Sequence, residues 1–278
     1  MCLLNEMNNT PIVFLIDLDG TLQGNISPQV NEFEFQRTLN PHILFENKIK
    51  HNTQHLFEDL KKGLLRPFVR DSLLLMKSKH PNIEFFIYTA SSDAWGNFLI
   101  PKVITHAFGE SSKIINKPFL TRKHCFTNGL KSIKKVFPLI KKSLGDRYKL
   151  VSEENVFLVD NNIVLLKNEM SNLILCPTYE FTKHVDIFRN ISVRVIKSNM
   201  LQISKMLCGE GNIDLVKCME TYYKQLYIEE KSSIKPNGVY KTDTYWKDFA
   251  DIVISNEFQG REGVLKVLKE LKNLYRPR

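Results

Sequence analysis

The segment Pro11–Leu22, with the sequence P-I-V-F-L-I-D-L-D-G-T-L, constrains the fold of this chain more than any other. Its apolar residues, Ile12 to Ile16, run without helical periodicity directly into Asp17. A continuous apolar run of this kind is typical of a strand buried on both faces, as in a parallel sheet. Ligands of open α/β sheets bind at the carboxyl ends of the strands, so Asp17 and Asp19 stand where acidic side chains can do chemistry. The alternative is an acidic turn that only closes a core strand, because Asp-Gly is a common turn dipeptide.

Two further apolar runs end in polar residues and predict neighbouring strands. Ile83–Ala90 ends on Thr89, and Asn155–Asn162 carries Asp160 and Asn161 at its end. Either run alone is a weak signal, because threonine has good β-propensity and Asp-Asn is frequent in turns. Their order along the chain, in which each run delivers a polar group at the strand tip, favours one shared site.

The segments between and after these runs predict helices, and therefore an α/β arrangement. The predicted helices are about Thr53–Lys62, Phe68–Lys79, Asp93–Ala107, Lys131–Lys142 and Gly263–Tyr275, and a fourth strand is predicted at Asn172–Tyr179. Pro138 is expected to interrupt the fourth of these helices, and Asn128-Gly129 favours a hairpin turn. The expected apolar side of the last helix comprises Val264, Leu265, Val267, Leu268 and Leu271.

The chain has 278 residues, which suits one large domain or a catalytic domain with an appendage. We predict a catalytic domain over residues 1–195, with an insert at about 24–65. A helical C-terminal extension over residues 196–278 is expected to pack on this core. His51 and His55 lie in the insert at helical spacing, as some metal ligands do, but no third ligand accompanies them in the sequence.

Charge and cysteine content limit the partners and the compartment. The formal net charge of +9 suggests an anionic partner, such as a phosphorylated protein, a nucleic acid or an acidic membrane surface. The five cysteines form no C-x-x-C pair, so we expect reduced thiols rather than a disulfide framework or a zinc site. The sequence shows neither a signal-peptide pattern nor an apolar run long enough to span a bilayer. We therefore expect a cytosolic or nuclear protein without a membrane partner.

The order of the motifs resembles that of the haloacid dehalogenase superfamily, whose first motif is matched by D-L-D-G-T-L at 17–22. Further strings are similar to the phosphatases of the NLI-interacting-factor type, a family that includes the enzymes that dephosphorylate the RNA polymerase II tail. They are R-P-F at 66–68, Y-T-A-S at 88–91, R-K-H-C at 122–125, N-G-L-K-S-I at 128–133 and L-V-D-N-N at 158–162. The resemblance covers Pro11 to Tyr179. This family usually has Asp-Glu-Thr where the chain has Asp19-Gly20-Thr21.

The resemblance implies a Rossmann-like α/β fold with a central parallel sheet, and the activity of a magnesium-dependent phosphatase. Phosphoryl transfer needs an in-line nucleophile and neutralisation of charge on the equatorial oxygens. By this resemblance Asp17 attacks phosphorus and forms an aspartyl-phosphate, while Asp19 protonates the leaving oxygen and later activates water. The implied ligands of Mg²⁺ are Asp17, the Asp19 carbonyl and the pair Asp160 and Asn161.

A second set of residues is implied to bind the phosphoryl group. Thr89 and Ala90 follow the second strand, and a lysine supplies positive charge. Alignment of the R-x-x-C…K spacing picks Lys131, with Lys123 and Lys134 as alternatives.

The substrate class is inferred from the room that the sequence leaves for a cap. Neither Gly24–Leu65 nor Ser92–Leu130 is long enough for a large cap once core helices are counted. An open site admits macromolecules, so we expect a protein substrate carrying phosphoserine or phosphothreonine. Nucleotides or nucleic-acid ends are the second substrate class, given the positive charge. A catalytically idle binding or scaffold protein is a third hypothesis, against which the complete set of catalytic residue types argues.

Overall fold

A computed structural model of the chain describes residues 11–39, 56–146, 151–183, 185–188, 191–209, 214–233, 243–256 and 260–274. Its centre is a five-stranded parallel sheet in the order β3-β2-β1-β4-β5. The strands are β1 (Ile12–Ile16), β2 (Ile83–Tyr88), β3 (Ile115–Leu120), β4 (Val156–Asp160) and β5 (Leu173–Leu175). The chain crosses from one half of the sheet to the other after β3, which places the topological switch point between β1 and β4.

Strand β1 lies in the middle of the sheet because all of its residues are apolar and buried. Val13 and Leu15 belong to the hydrophobic cluster on one face, and the alternate residues of β1 belong to the cluster on the other. Ile16 pairs with Ile87 of β2 and with Val159 of β4. The three strands therefore end at the same edge of the sheet, where the residues that follow them come together.

Helices cover both faces of this sheet. The helices of the described residues are α1 (Ser27–Leu39), α2 (Val69–Lys79), α3 (Asp93–Phe108), α4 (Ile133–Leu144), α5 (Val193–Ser198), α6 (Met200–Cys208), α7 (Leu215–Ser233), α8 (Tyr245–Ser255) and α9 (Gly260–Leu274). A π-helical segment, Leu60–Leu64, precedes α2. Helix α4 covers the face that carries Val13 and Leu15, and residues of α2, α3, α8 and α9 cover the opposite face. The result is a three-layer α/β/α sandwich.

The C-terminal helices contribute to two separate apolar clusters. Trp246 and Phe249 of α8 are buried in the same cluster as the central strand, together with Val267 of α9. Residues of α6 and α7, including Ile203 and Leu215, instead form a small cluster with α1. Helix α8 is thus a structural part of the layer that covers the sheet, and the predicted division at residue 195 stays a prediction.

The predicted Rossmann-like α/β fold is confirmed, but one strand and two helices differ from the prediction. Helix α1 lies in the predicted insert, where no helix was expected before Thr53. Strand β3 was not predicted, because Asn116, Lys117 and Pro118 have low strand propensity, and proline is tolerated there since β3 is an edge strand. Pro138 does not interrupt α4, which runs through it. Burial of the apolar side of that helix, which includes Val136, contributes more to stability than the backbone hydrogen bond missing at Pro138 costs.

Three local predictions are also corrected. Asn128-Gly129 forms a turn in which Gly129 has φ +82°, but no strands flank it, so no hairpin is formed. Strand β5 is shorter than predicted and ends at Leu175, before Pro177. Leu265 is 53% exposed, because at 100° per residue it lies away from the buried side of α9. The histidine pair, His51 and His55, lies outside the described residues.

The prediction of reduced cysteines is wrong for one pair. Cys208 and Cys218 form a disulfide, whereas Cys125 and Cys176 are free and buried. The packing of α6 against α7 brings the two Cα atoms within 5.8 Å, a separation that a disulfide spans. Sequence spacing alone does not reveal this approach.

A cytosolic or nuclear location stays a prediction. Among the described helices, none combines the length and the apolar character needed to cross a bilayer.

Candidate active site

A buried lysine joins the ends of two neighbouring strands. Lys131 Nζ lies 2.6 Å from Asp17 Oδ1 and 2.7 Å from Asp160 Oδ2. Asp17 follows β1, and its backbone N–H donates to the carbonyl of Val159 in β4 at 3.0 Å. All three charged side chains are buried, so the two ion pairs are shielded from water. Such an arrangement is a concentrated charge cluster at the switch point of the sheet.

The position of Lys131 is fixed by backbone pairing as well as by its charge. Its N–H donates to the carbonyl of Val164 at 2.7 Å, and its carbonyl accepts from the N–H of Leu166 at 3.3 Å. Its ammonium also lies 5.4 Å from the ring centroid of Tyr88. Burial by itself lowers the pKa of Lys131, but the charges of Asp17 and Asp160 outweigh burial, and the pKa is raised. The lysine is therefore a fixed cation.

Asp17 carries an unusually basic carboxyl group. Burial raises its pKa, Lys131 opposes that rise, and the negative charges of Asp160 and Asp19 add to it, so that the pKa is about 7. Only its Oδ1 is engaged, by Lys131. Oδ2 receives no hydrogen bond from the described residues and is free to meet a ligand.

The turn after β1 presents the second carboxylate. The carbonyl of Leu18 accepts hydrogen bonds from the N–H groups of three residues that follow it, which closes the turn. The Asp19 carboxyl accepts from Gln23 Nε2 at 3.1 Å on Oδ1 and from Ser91 Oγ at 3.2 Å on Oδ2. Burial raises the pKa of Asp19, and these two hydrogen bonds oppose the rise.

Gly20 explains the departure from the usual family motif in structural terms. Its φ is +78°, a conformation that favours glycine, and a Cβ built there would lie 2.6 Å from Asn161 Nδ2. A glutamate at this position would therefore need both a different backbone conformation and a displaced Asn161.

The loop after β2 supplies hydroxyl groups that face Asp19. Thr89 Oγ1 donates to Ser91 Oγ at 3.1 Å and accepts from the Ser91 N–H, also at 3.1 Å. Since Ser91 in turn donates to Asp19, the three side chains form a chain of hydrogen bonds that ends on the carboxylate.

These groups line an open cavity of about 250 Å³. The lining residues are Asp17, Asp19, Thr89, Ala90, Ser91, Arg122, Lys131, Asp160, Asn162 and Val164. The volume is below the roughly 300–1,000 Å³ that is typical of sites enclosing whole small molecules. The cavity therefore suits one end of a ligand, such as a phosphoryl group, with the rest outside.

Of the predicted site residues, Asn161 is the one that does not line the cavity. Its Oδ1 accepts from Thr21 Oγ1 at 3.3 Å and from Asn162 Nδ2 at 3.1 Å, and its Nδ2 donates to Thr178 Oγ1 at 3.2 Å. Both oxygens of Asp160 also have partners, since Oδ1 accepts from the Asn162 N–H at 2.8 Å.

The site offers oxygen atoms to a hard cation. Asp17 Oδ2 and the backbone carbonyl of Asp19 accept no hydrogen bond from the described residues. Within that part of the chain there is no group of three or more His, Cys, Asp or Glu side chains arranged to hold a metal. A cation here would depend on carboxylate, carbonyl and amide oxygens, a donor set that fits Mg²⁺ rather than zinc.

The two alternative lysines lie outside the site. Lys123 and Lys134 are exposed, and neither lines the cavity. The backbone N–H of Lys123 donates to Asp93, and that of Lys134 donates to Glu169. Both positions are thus used for local capping rather than for charge near Asp17.

Five residues at the site were not predicted. Ser91, Arg122, Asn162 and Val164 line the cavity, and Gln23 contacts Asp19. Ser91 has a sequence signal, since it lies two positions after Thr89 at the same strand end. Arg122 belongs to the R-K-H-C string, whereas the sequence gives no signal for Gln23.

The first motif is supported from behind by Arg66, which is 1% exposed. Its Nη1 donates to the carbonyls of Gly20 at 3.4 Å and Thr21 at 3.3 Å. Its Nε and Nη2 donate to both oxygens of Asp243, at 3.0 and 2.9 Å. Trp246 Nε1 of α8 donates to the same Thr21 carbonyl at 3.1 Å. The C-terminal part of the chain therefore fixes the turn that carries Asp19.

The parallel sheet, the aspartate after its first strand and the lysine that bridges it to a later strand define an α/β protein with a charged site at the carboxyl edge of its sheet. The sequence model of the NLI interacting factor-like phosphatases matches residues 12–203. Because this match covers more than half of the chain, the chain belongs to the NLI interacting factor-like phosphatase family.

Solved structures of an RNA polymerase II CTD phosphatase are similar to this chain. One similar structure is that of Fcp1, an essential RNA polymerase II CTD phosphatase, with 15% identity, a TM-score of 0.39, and coverage of 99% of this chain and 65% of that one. Another is a fission yeast Fcp1 variant bound to beryllium fluoride, with 17% identity, a TM-score of 0.37 and the same coverages. The chain thus spans about two thirds of the length of these structures. No curated protein matches the chain.

Proposed function

We propose that the chain is a magnesium-dependent phosphatase that hydrolyses phosphomonoesters on proteins through an aspartyl-phosphate on Asp17. The observation that carries this proposal is the Asp17–Lys131–Asp160 charge cluster, at the cavity where Asp19 is held two positions beyond Asp17. A nucleophile, a fixed cation and a second carboxyl group are the parts that phosphoryl transfer through a covalent intermediate requires.

In the first step Asp17 attacks the phosphorus atom and the bond from phosphorus to the leaving oxygen breaks. Oδ2 is the free oxygen of Asp17, since Oδ1 is held by Lys131. Asp19 gives a proton to the leaving oxygen, which prevents the release of a strongly basic alkoxide.

In the second step water attacks the phosphorus atom of the aspartyl-phosphate. Asp19, now ionised, takes a proton from that water, and the bond between phosphorus and Asp17 breaks to release inorganic phosphate. Lys131 and the hydroxyl of Thr89 stabilise charge on the phosphoryl oxygens in both steps.

Asp17 Oδ2 and the carbonyl of Asp19, which accept no hydrogen bond from the described residues, would hold Mg²⁺, and the resemblance adds Asp160 and Asn161 to this set. Because both Asp160 oxygens already have hydrogen-bond partners, the main part of Asp160 in this set is to anchor Lys131. When bound, the cation offsets repulsion between the anionic nucleophile and the phosphate.

We expect activity to need Mg²⁺ and to be abolished by a chelator, with restoration on adding Mg²⁺ back. Calcium should inhibit, because it prefers more ligands and a looser geometry than Mg²⁺. The measurement is hydrolysis of an aryl phosphate in metal-depleted protein titrated with each cation. Full activity in excess chelator would contradict this part of the proposal.

Phosphoprotein is the proposed substrate class because the cavity is open to solvent. In the parts of the insert that the structure describes, residues 24–39 and 56–65, no cap domain stands over the cavity. Nucleotides and nucleic-acid ends are the alternative, favoured by the net charge of +9. Turnover of phosphoserine peptides, nucleotides and 3′- or 5′-phosphorylated oligonucleotides separates these classes, and absence of turnover on every substrate would favour an idle scaffold protein.

Asp19→Asn tests the two-step mechanism. A nitrophenolate leaving group needs little protonation, whereas a serine alkoxide needs a great deal, so the variant should lose far more phosphorylation rate on a phosphoserine peptide. Water attack is slowed with either substrate. Rapid mixing with the aryl phosphate should therefore show a burst of phenol, and mass spectrometry should find a persistent phosphate on Asp17. Equal losses on both substrates without a burst or an adduct would exclude this role of Asp19.

A further inference from the structure

The side chain of Gln23 is buried beside the site, and half of its amide has no partner. Its exposed fraction is 0%. Nε2 donates to Asp19 Oδ1 at 3.1 Å, whereas no described residue donates to Oε1. A buried amide oxygen without a donor lowers the free energy of unfolding. An apolar side chain of similar shape, such as methionine, avoids that loss, so packing does not explain a glutamine at this position.

The backbone fixes where the Gln23 side chain begins. Its N–H donates to the carbonyl of Leu18 at 3.0 Å, and its carbonyl accepts from the N–H of Gly20 at 2.7 Å. The side chain therefore starts from the same closed turn that carries Asp19. From there it extends to the Asp19 carboxyl group and contacts Oδ1, while Ser91 donates to Oδ2.

We propose that Gln23 is a positioning residue that holds the Asp19 carboxyl group in the orientation needed for proton transfer. This inference rests on the proposed acid and base role of Asp19. A carboxamide suits that role because it can form a hydrogen bond with either the ionised or the protonated form of the Asp19 carboxyl group. It donates from Nε2 to a carboxylate, or, after a flip, it accepts at Oε1 from a carboxylic acid. Methionine and leucine can do neither.

Loss of this contact should affect proton transfer but not phosphate binding. Without Gln23 the Asp19 carboxyl keeps only the Ser91 contact and can rotate away from the leaving oxygen. Misplacement of a catalytic group by about 1 Å can cost about a hundredfold in rate. Lys131 and Thr89, which bind the phosphoryl group, do not contact Gln23 through any hydrogen bond among the described residues.

The test is Gln23→Met, with kcat and KM measured on a phosphoserine peptide and the phosphorylation rate measured by rapid mixing on both the peptide and an aryl phosphate. We expect kcat on the peptide to fall about tenfold to a hundredfold with KM unchanged. The phosphorylation rate on the aryl phosphate should fall much less. The thermal unfolding temperature should stay equal or rise, because the unpaired oxygen is removed. If Gln23→Met does not fold, Gln23→Leu carries the same expectations.

Gln29→Met is a matched control. Gln29 is also buried, its Oε1 also lacks a donor, and its Nε2 also contacts an aspartate, Asp59, at 3.2 Å. It does not line the cavity, so kcat should be unchanged in this variant.

A double variant tests whether the two residues act together. Added to Asp19→Asn, Gln23→Met should cause little further loss, because the group that it positions is gone. A wild-type rate in Gln23→Met, an equal loss on both substrates, or a full additional loss in the double variant would overturn the inference while leaving the phosphatase proposal intact. A wild-type chain that hydrolyses no phosphomonoester would overturn the proposed function, and the inference with it.

Discussion

Replacement of Asp17 by asparagine is expected to abolish hydrolysis of an aryl phosphate while the protein stays folded. Removal of a covalent nucleophile can cost up to roughly 10⁶ in rate, and a loss of at least about a thousandfold is expected here. Stability should not fall, because the pKa of Asp17 is raised in the folded protein. Above the unfolded pKa, an acid whose folded pKa is raised makes folding less favourable, and asparagine removes this penalty at pH 7.

The activity assay and the unfolding curve of Asp17→Asn are measured on the same preparation. Asp251→Asn is the control, since Asp251 is exposed on α8 and should leave both quantities unchanged. Turnover in Asp17→Asn above a few per cent of the wild-type rate would show that Asp17 is not the nucleophile. A large loss of stability would show that its charge is needed for folding.

Replacement of Lys131 by methionine should have the largest effect on stability. Asp17 and Asp160 then remain buried without a counter-charge, and breaking a buried ion pair in this way costs about 3–5 kcal/mol. Activity should also fall by about a hundredfold or more, because a preorganised charge near the phosphoryl oxygens is lost. Denaturant unfolding is measured in chelator, so that metal binding does not contribute.

The loss of stability in Lys131→Met should depend on pH. Without the lysine, the pKa of Asp17 rises further, because the largest opposing contribution is gone. The penalty is fully present above the folded pKa and diminishes as the pH falls towards the unfolded value. Because the pKa of Asp17 is already about 7 in the wild type, this further rise changes the stability difference only above pH 7, and the difference from wild type should grow between pH 7 and pH 9.

A control variant and a double variant accompany Lys131→Met. Lys134→Met changes an exposed lysine that does not line the cavity. This variant should leave activity and stability unchanged. The double variant Asp17→Asn/Lys131→Met should be more stable than Lys131→Met alone, since one of the two unpaired carboxylates is removed. A Lys131→Met protein as stable as wild type at pH 7 would mean that the ion pairs are not formed.

Much of the fold follows from local sequence. The apolar run of β1 and the two later runs can bury both faces only in a parallel sheet, and the residues that follow them are covalently bound to the strand ends. Asp17, Thr89 and Asp160 therefore had to lie at one edge of that sheet. The sequence does not predict strand β3, because its composition is polar and its stability comes from pairing with β2.

The resemblance picked Lys131 from three candidate lysines, and the tertiary structure gives the physical reason for that choice. Lys123, Lys131 and Lys134 lie within twelve residues of one another, and their side chains are chemically identical. Only pairing with the segment around Leu165 turns Lys131 towards the two aspartates. No periodicity in the sequence carries that information.

The sequence by itself determined which segments form the strands that carry the motifs. It also determined that carboxylates lie at the ends of two of these strands, because both features depend on residue type and covalent adjacency. The tertiary structure alone decided which groups hold those carboxylates. Ser91 binds one oxygen of Asp19 from 72 positions away, and Arg66 joins the turn to Asp243, which is 177 positions away. Hydrogen bonds of this kind depend on distances of about 3 Å between atoms far apart in sequence. Such distances are set by the packing of whole helices and strands, which local preferences do not specify.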